Sequence, residues 1–534
     1  MPKQLFNSTR TLAGLILRRD RIQIPIWIIS IVAATVALAA MFPQLYPAGP
    51  ERQVIAQIMQ NPAMTSMVGP GYGLDDYHIG AIVAHQMLLF TAVVVAIMNI
   101  LLTIRHTRRD EEQGRIEVIR SLPVGRLSNA AATMLVLTII NITLGLLTGL
   151  GLGMLGLEGM TWAGSFLYGA VLTVVGIFFA ATTLFFAQLT ETSRAALGYS
   201  FAFLGLSFLL RAIGDTSSET LSLLSPLGLV LRAQVYVNNY WWPIWIVLAA
   251  AALMTLAAFR LNTIRDLEAG FFSAKPGPAH ASRFLQSPLG LVLRLEKTVI
   301  IAWAVGMFVL GASYGAVFGD VEAFIQSNDL YQQMLPNVEG FSVTDQFVAM
   351  LLSVMSMVAA IPTLLVMLKL RVEEKASRTE HLLARAISRP QLMASFLVVS
   401  LLVAIVMQVL SILGLWSTAA ASVENPFALG KTIAASLVYV PFMWILVGLA
   451  VTLIGFAPQQ TSLVWLYLGY TLFATYFGSL LQLPDWMAKL TPWGYIPNVP
   501  LEPASAGTIL PSLLIAGGLI AVGMHGYRER DIHG

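Results

Sequence analysis

Apolar residues run along this chain in long stretches separated by short polar clusters. Stretches of about 20 residues or more can cross a hydrocarbon core of about 30 Å as helices. They occur at roughly 23–43, 80–104, 130–155, 162–188, 195–214 and 241–259. A second set falls at roughly 298–318, 345–368, 393–418, 432–456, 463–483 and 504–526. None alternates apolar with polar, which argues against a membrane barrel. The pattern predicts an all-α integral membrane protein with twelve transmembrane helices and both termini on one side. Met1 to Ile22 is polar and basic and reads as lacking a cleavable signal peptide.

Composition agrees with that reading. The 534 residues are 57% hydrophobic and 11% charged, with a mean hydropathy of +0.75, too little charge to cover a soluble fold of this length. There is no cysteine, which excludes disulfides, thiolate nucleophiles and cysteine-ligated metals. Of the 31 Lys and Arg, only Arg52, Arg211, Arg232, Lys431 and Lys489 fall on the side away from the termini. The positive-inside rule then predicts cytoplasmic termini. The net charge of +3 does not call for nucleic acid.

The two sets of spans echo each other. Leu12 to Arg18 matches Pro288 to Arg294, and a tryptophan, Trp27 or Trp303, follows each arginine at the same distance. Glu111-Glu112, Arg115 and Glu117 recur as Glu373-Glu374, Arg378 and Glu380, with one residue inserted. Phe186-Ala187 and Leu197-Gly198-Tyr199 return as Phe456-Ala457 and Leu468-Gly469-Tyr470. Leu224-Ser225-Pro226 returns as Leu490-Thr491-Pro492, and Arg265-Asp266 as Arg530-Asp531. The order is the same throughout, and an even number of spans per half gives both copies one orientation, the parallel-repeat arrangement. The expected organisation is a first six-helix repeat at 1–267, a Pro/Gly/Ala-rich cytoplasmic linker at 268–287 and a second repeat at 288–534.

The most informative polar elements are the loops after the second and eighth spans. Glu111/Arg115 and Glu374/Arg378 are spaced four apart, and Glu117/Arg120 three apart, on short amphipathic helices. A loop that only fixed topology would need positive charge alone. Keeping the glutamates in both copies points to a docking surface for a soluble partner. Leu5, Leu12, Leu15 and Ile16, ringed by basic residues, suit a helix lying in the membrane interface. On the other side, 215–240 and 484–503 are moderately apolar and proline-containing, too short to cross, and read as re-entrant or interfacial hairpins. Asp75, Asp76 and His78 lack the spacing of a metal site and read as loop residues.

The spans carry no acidic residue well inside them; Asp215 and Asp345 stand at edges. A proton or sodium relay ordinarily needs one. His85, Gln86, Asn99, Asn141 and Gln408 are the deeper polar groups and read as interhelical hydrogen-bonding residues. Arg211 is expected to snorkel or cap carbonyls. Gly430-Lys431-Thr432 resembles the end of a Walker A loop, but Asn425 stands where its first glycine belongs. The chain therefore has no evident nucleotide site of its own, and energy is expected from a separate protein.

The stretches EEQGRIEVIRSLPVGR (111–126), FLLRAIGD (208–215), LSPLG (224–228) and RDLEAG (265–270) resemble permease subunits of type-2 ATP-binding-cassette (ABC) exporters. The likeness is to the duplicated twelve-helix branch of polyketide antibiotic and multidrug exporters. It implies a permease in the bacterial plasma membrane that moves hydrophobic or amphiphilic compounds outward. Its partners would be two copies of a cytoplasmic ABC ATPase, membrane lipid and the cargo. ATP and Mg would bind those ATPase subunits, and this chain would hold no cofactor, no metal and no catalytic residue. Coupling would fall to Glu111, Glu112, Arg115, Glu117, Arg120, Arg126, Glu373, Glu374, Arg378, Glu380, Arg385 and Arg389. The segments before the first and seventh spans would be interfacial connecting helices. Spans two, five, eight and eleven would line the route, with Phe90, Phe203, Phe208, Met355, Tyr470 and Tyr476 as wall candidates. The second copy departs from the pattern, since Ala376-Ser377 stands for Gly114 and Ala386 for Pro123, so its docking surface need not be equivalent. A proton-coupled secondary multidrug carrier is the alternative, and a lipid-modifying membrane enzyme a third reading that lacks a catalytic cluster.

Overall fold

The computed structural model describes residues 5–272, 279–316, 343–385, 387–422, 428–476 and 484–531. These residues form helices joined by turns, and the only extended pairing among them is an isolated bridge between Thr190 and Phe272. They fold as two compact units, residues 1–276 and 277–534. Eleven of the described helices are long and apolar enough to span a membrane. The expected twelfth span, 463–483, is described only for the helix Leu463–Tyr476.

In the first unit, α1 (Thr9–Arg19) leads into α2 (Gln23–Leu45), and α3 (Pro50–Ile58) and α4 (Pro62–Val68) follow. The long α5 (Ile79–His106) continues into α6 (Arg108–Glu112), then α7 (Arg115–Arg120). Next come α8 (Ser128–Leu155), α9 (Trp162–Leu189) and α10 (Ser193–Ser217). The short α11 (Glu219–Leu223) and α12 (Pro226–Leu231) precede α13 (Trp242–Ile264). Helix α9 is the hub, packed against α8, α13 and α5.

In a bilayer, close backbone approach and interhelical hydrogen bonds replace the hydrophobic drive, and α9 uses both. A Cβ on Gly169 would lie 2.0 Å from the carbonyl oxygen of Gly145 on α8. One turn further along, Asn99 of α5 and Asn141 of α8 exchange amide hydrogen bonds of 2.9 and 2.7 Å. This buried pair rests on Gly176 of α9, where a Cβ would meet the Asn141 oxygen at 2.0 Å.

The second unit contains α14 (Pro288–Ala316), α15 (Val343–Lys375), α16 (Glu380–Leu383) and α17 (Arg389–Ser422). It continues with α18 (Leu429–Leu437), α19 (Val440–Phe456), α20 (Leu463–Tyr476), α21 (Asp485–Lys489) and α22 (Ala506–Glu529). Its principal packings are α14 on α17 and α19 on α22.

The two entry segments differ from expectation. In the first unit α1, the helix expected to lie in the interface, is separate from α2. In the second, one continuous α14 runs from Pro288 through the span. Proline explains the difference. Pro25 cannot donate to the carbonyl of Arg21 and its ring crowds the preceding turn, so the helix breaks over 20–22. The second copy has Ile301 in the matching position and no break.

The expected re-entrant stretches are pairs of short turns of helix. Ser225 caps α12, and Thr491 caps a 3-10 turn at Pro492–Tyr495. The segment 44–79 holds α3, α4 and a further 3-10 turn, Leu74–Asp76. Of the matching 319–344 loop, only 343 and 344 are described.

Candidate coupling site at the charged end of each unit

Both units carry the same constellation where the second long helix emerges. In the first unit, α5 and α6 run on with little interruption, so Arg108, Asp110 and Glu111 project from one rigid element. Gly114 then takes a left-handed conformation, φ 69°, and turns the chain into α7. Glu111 is buried. It pairs with Arg108 at 2.9 Å and Arg265 at 2.9 Å, and accepts from the N–H of Glu268 at 2.7 Å. Arg108 and Arg265 also donate to the carbonyl of Ala269, at 2.8 and 2.6 Å. The RDLEAG segment is therefore a strap that closes the end of α13 over the loop after α5. Phe272 continues it by donating its N–H to the carbonyl of Leu189, so the expected linker begins bound to the first unit.

Asp110 holds Arg19 of α1 at 2.8 Å and Arg115 of α7 at 2.7 Å. Asp20, fully buried, holds Arg105 and His106 at 2.8 and 2.7 Å. Asn7 donates to the carbonyl of Pro123 and accepts, through its own carbonyl, from the N–H of Gly125. Arg126 donates to the carbonyls of Asn262 and Arg265. Arg120 sits half-buried; burial first, then the like charges of Arg126 and Arg265, pull its guanidinium below the ordinary value. It stays charged at any physiological pH. Glu112 faces the other way, accepting from the N–H of Ser193 at 2.6 Å and from its hydroxyl, and so caps the start of α10.

The second unit repeats the fastening. Glu374 is fully buried, accepts from Arg530 at 2.8 and 2.9 Å and lies 3.4 Å from Arg371. Glu373 holds Arg378 at 2.7 Å and Lys369 at 3.4 Å, and Lys369 reaches the buried Glu296 of α14 at 3.6 Å. Arg389 donates to the carbonyls of Arg528 and Arg530. These partners correct the sequence register. Arg371 stands for Arg108, Glu373 for Asp110, Glu374 for Glu111 and Arg378 for Arg115, with no inserted residue. Ser377, at φ 54°, takes the left-handed turn that Gly114 makes.

The predicted coupling residues thus divide. Glu111, Glu373 and Glu374 are internal fasteners rather than presented surface. Glu112, Arg115, Glu117, Arg126, Arg378, Glu380 and Arg385 are exposed, and Arg120 and Arg389 lie between. The faces also differ in chemistry. The first exposes Val118 and Leu122, at 70% and 60%, where the second has the exposed His381 and Arg385. Lys375 stands where Glu112 does, and its ammonium cannot accept from a helix N-terminus. Sequence reading missed Arg19, Arg265, Arg530 and Ser193 as partners of this site. Only the matching Arg-Asp pairs 265–266 and 530–531 hinted at two of them.

The wall candidates are scattered. Phe90 is exposed, and Phe203 sits in an aromatic cluster with Phe178, Phe179 and Phe186. Phe208 lies 4.5 Å beneath the guanidinium of Arg211, and Met355 is fully buried in the second unit's core. Tyr470 donates to the carbonyl of Met487 at 2.9 Å, and the side chain of Tyr476 lies outside the described residues. Arg211 itself is fully buried and does not snorkel. It donates to the carbonyls of Thr65 and Met67, both at 3.2 Å, and pairs with Asp215. His85 bonds Tyr77 and Gly69, and Gln86 accepts from Tyr46. Gln408, expected to bond between helices, has no partner for its amide among the described residues. His78 caps α5 by accepting from Ala81, and no group of metal-binding side chains is present among the described residues.

Eleven apolar spanning helices with charge gathered in short fastened loops define a multi-pass helical membrane protein. A family profile described as "Multidrug efflux system permease Rv1217c, C-terminal domain" matches residues 10–261 and 285–528. The chain belongs to that family. It is also 34% identical over 534 residues to the "Multidrug efflux system permease protein Rv1217c" of Mycobacterium tuberculosis (strain ATCC 25618 / H37Rv), covering 99% of this chain and 96% of that relative.

Proposed function

We propose that this chain is the transmembrane permease of an ATP-driven exporter of the type-2 ABC class, carrying hydrophobic or amphiphilic drug-like compounds out of the cell. It works as a duplicated twelve-helix permease in the bacterial plasma membrane with cytoplasmic termini, above two copies of a separate ATPase. The name of the Mycobacterium tuberculosis relative supports efflux of multiple drugs as the task. One observation carries the mechanism: the α6–α7 segment is fastened to α1, α10 and α13 yet keeps an exposed outer face. A loop held this way transmits a push instead of absorbing it. Closure of the ATPase dimer against Glu117, Val118 and Leu122 tilts α7. Glu112 passes the displacement to the start of α10, and Arg265 passes it to the end of α13.

The second loop is also fastened, but it has no Glu112 equivalent, so the first half is the principal transmitter. Affinity purification from native membranes tests the reading. An ATPase that co-purifies with the wild type, and is lost on Val118→Asp with Leu122→Asp, is expected. A chain that transports with no ATPase bound removes it.

A further inference from the structure

The second unit opens with a cleft between the turn Arg283–Gln286 and the first four turns of α14. Phe284, Leu293 and Ile301 supply an apolar wall, and Arg294 and Lys297 its polar rim. Four cations at this end of the unit, Lys369, Arg371, Arg378 and Arg530, have carboxylate partners. Arg294 and Lys297 have no ion-pair or hydrogen-bond partner among the described residues, although Glu296 sits beside them in sequence. Glu296 is turned inward to Lys369. The helix thus sorts its charges, the acid into the bundle and both bases onto the outer face.

Below the bases the same face continues through Ile301, Val305 and Val309, exposed by 52%, 59% and 53%. From Lys297 to Val309 this stripe is roughly 18 Å long at the rise of an α-helix, comparable to an extended acyl chain. Two unpaired cations at the mouth of an apolar cleft, above an apolar track, complement one ligand class: an anionic phosphate head joined to a long hydrocarbon tail.

We infer that this cleft seats an anionic membrane glycerophospholipid, its phosphate between Arg294 and Lys297 and one chain along Ile301, Val305 and Val309. The first unit is built differently, although its matching bases, Arg18 and Arg21, are also exposed. There the residues before α1 are tied by backbone hydrogen bonds, from Leu127 to Leu5 and from Gly125 to Asn7, and the helix breaks after Arg19.

The test uses the full chain in detergent, titrated with dioleoyl-phosphatidylglycerol, dioleoyl-phosphatidylcholine or inorganic phosphate, reading thermal stabilisation and the lipid retained in native mass spectrometry. Phosphatidylglycerol is expected to stabilise the wild type well beyond phosphatidylcholine, with phosphate inert. Arg294→Gln with Lys297→Gln weakens that response on the order of tenfold or more. Arg294→Lys with Lys297→Arg keeps it, as does Lys431→Gln, a cation at the other end of the unit. The single Lys297→Gln gives a partial loss and serves if the double variant fails to fold. An unchanged phosphatidylglycerol response in the glutamine variants overturns the site. A response reproduced by phosphate alone overturns the lipid.

Discussion

Glu112 and Ser193, 81 residues apart, are joined where the glutamate accepts from both the N–H and the hydroxyl of the serine. A carboxylate at a helix N-terminus meets unpaired N–H groups and the positive end of the helix dipole. This contact therefore ties the exposed loop to a spanning helix. Because Glu112 is exposed, Glu112→Ala is expected to leave thermal unfolding near wild type while transport falls by at least half. Lys375→Ala, at the corresponding position, leaves transport unchanged. Side-by-side efflux rates and melting curves check both.

The Glu374–Arg530 pair is buried on the glutamate side, at 2.8 and 2.9 Å. Removing one member of such a pair strands the other charge and costs about 3–5 kcal/mol. Glu374→Gln and Arg530→Gln are each expected to destabilise the second unit on that scale. Combining the two costs clearly less than their sum. Reversible unfolding in mixed micelles measures the difference.

The Asn99–Asn141 exchange predicts a smaller coupling, because hydrogen bonds between membrane helices average about 0.6 kcal/mol and reach about 1.7. A double-mutant cycle to alanine should give a value in that range. Gly176→Ala should cost more, about 1–3 kcal/mol, since its methyl enters the space of the Asn141 oxygen and overpacks three helices at once.

A chain without cysteine allows single thiols to report sidedness. Cysteines at Val118 and His381 are expected to resist an impermeant maleimide in intact cells and to react once the membrane is opened. Cysteines at Tyr72 and Lys431 should react in both. The reverse pattern would invert the proposed topology.

Eleven of the expected spans were legible because hydrocarbon forces every backbone group to be satisfied within its own helix, and that requires long apolar runs visible in one dimension. Pro25, whose missing N–H accounts for the break before α2, was not read as one. The fastening at the charged ends was not legible. Arg265 meets Glu111 across 154 residues, and no local period encodes which distant arginine a glutamate finds. The repeated Glu-Glu doublets then misled the register, because similarity of letters set Glu111 against Glu373, whereas their partners set Glu111 against Glu374. For the same reason Glu111 and Glu374 read as surface docking groups when each is the buried centre of a clasp.

The most direct test of the account is the energy source. Everted membrane vesicles from cells making this chain with the proposed ATPase partner should take up an amphiphilic dye on addition of ATP. Uptake should stop with a non-hydrolysable analogue and persist when an ionophore collapses the proton gradient. Uptake that needs no ATP and vanishes with the gradient would contradict the account and identify a secondary carrier.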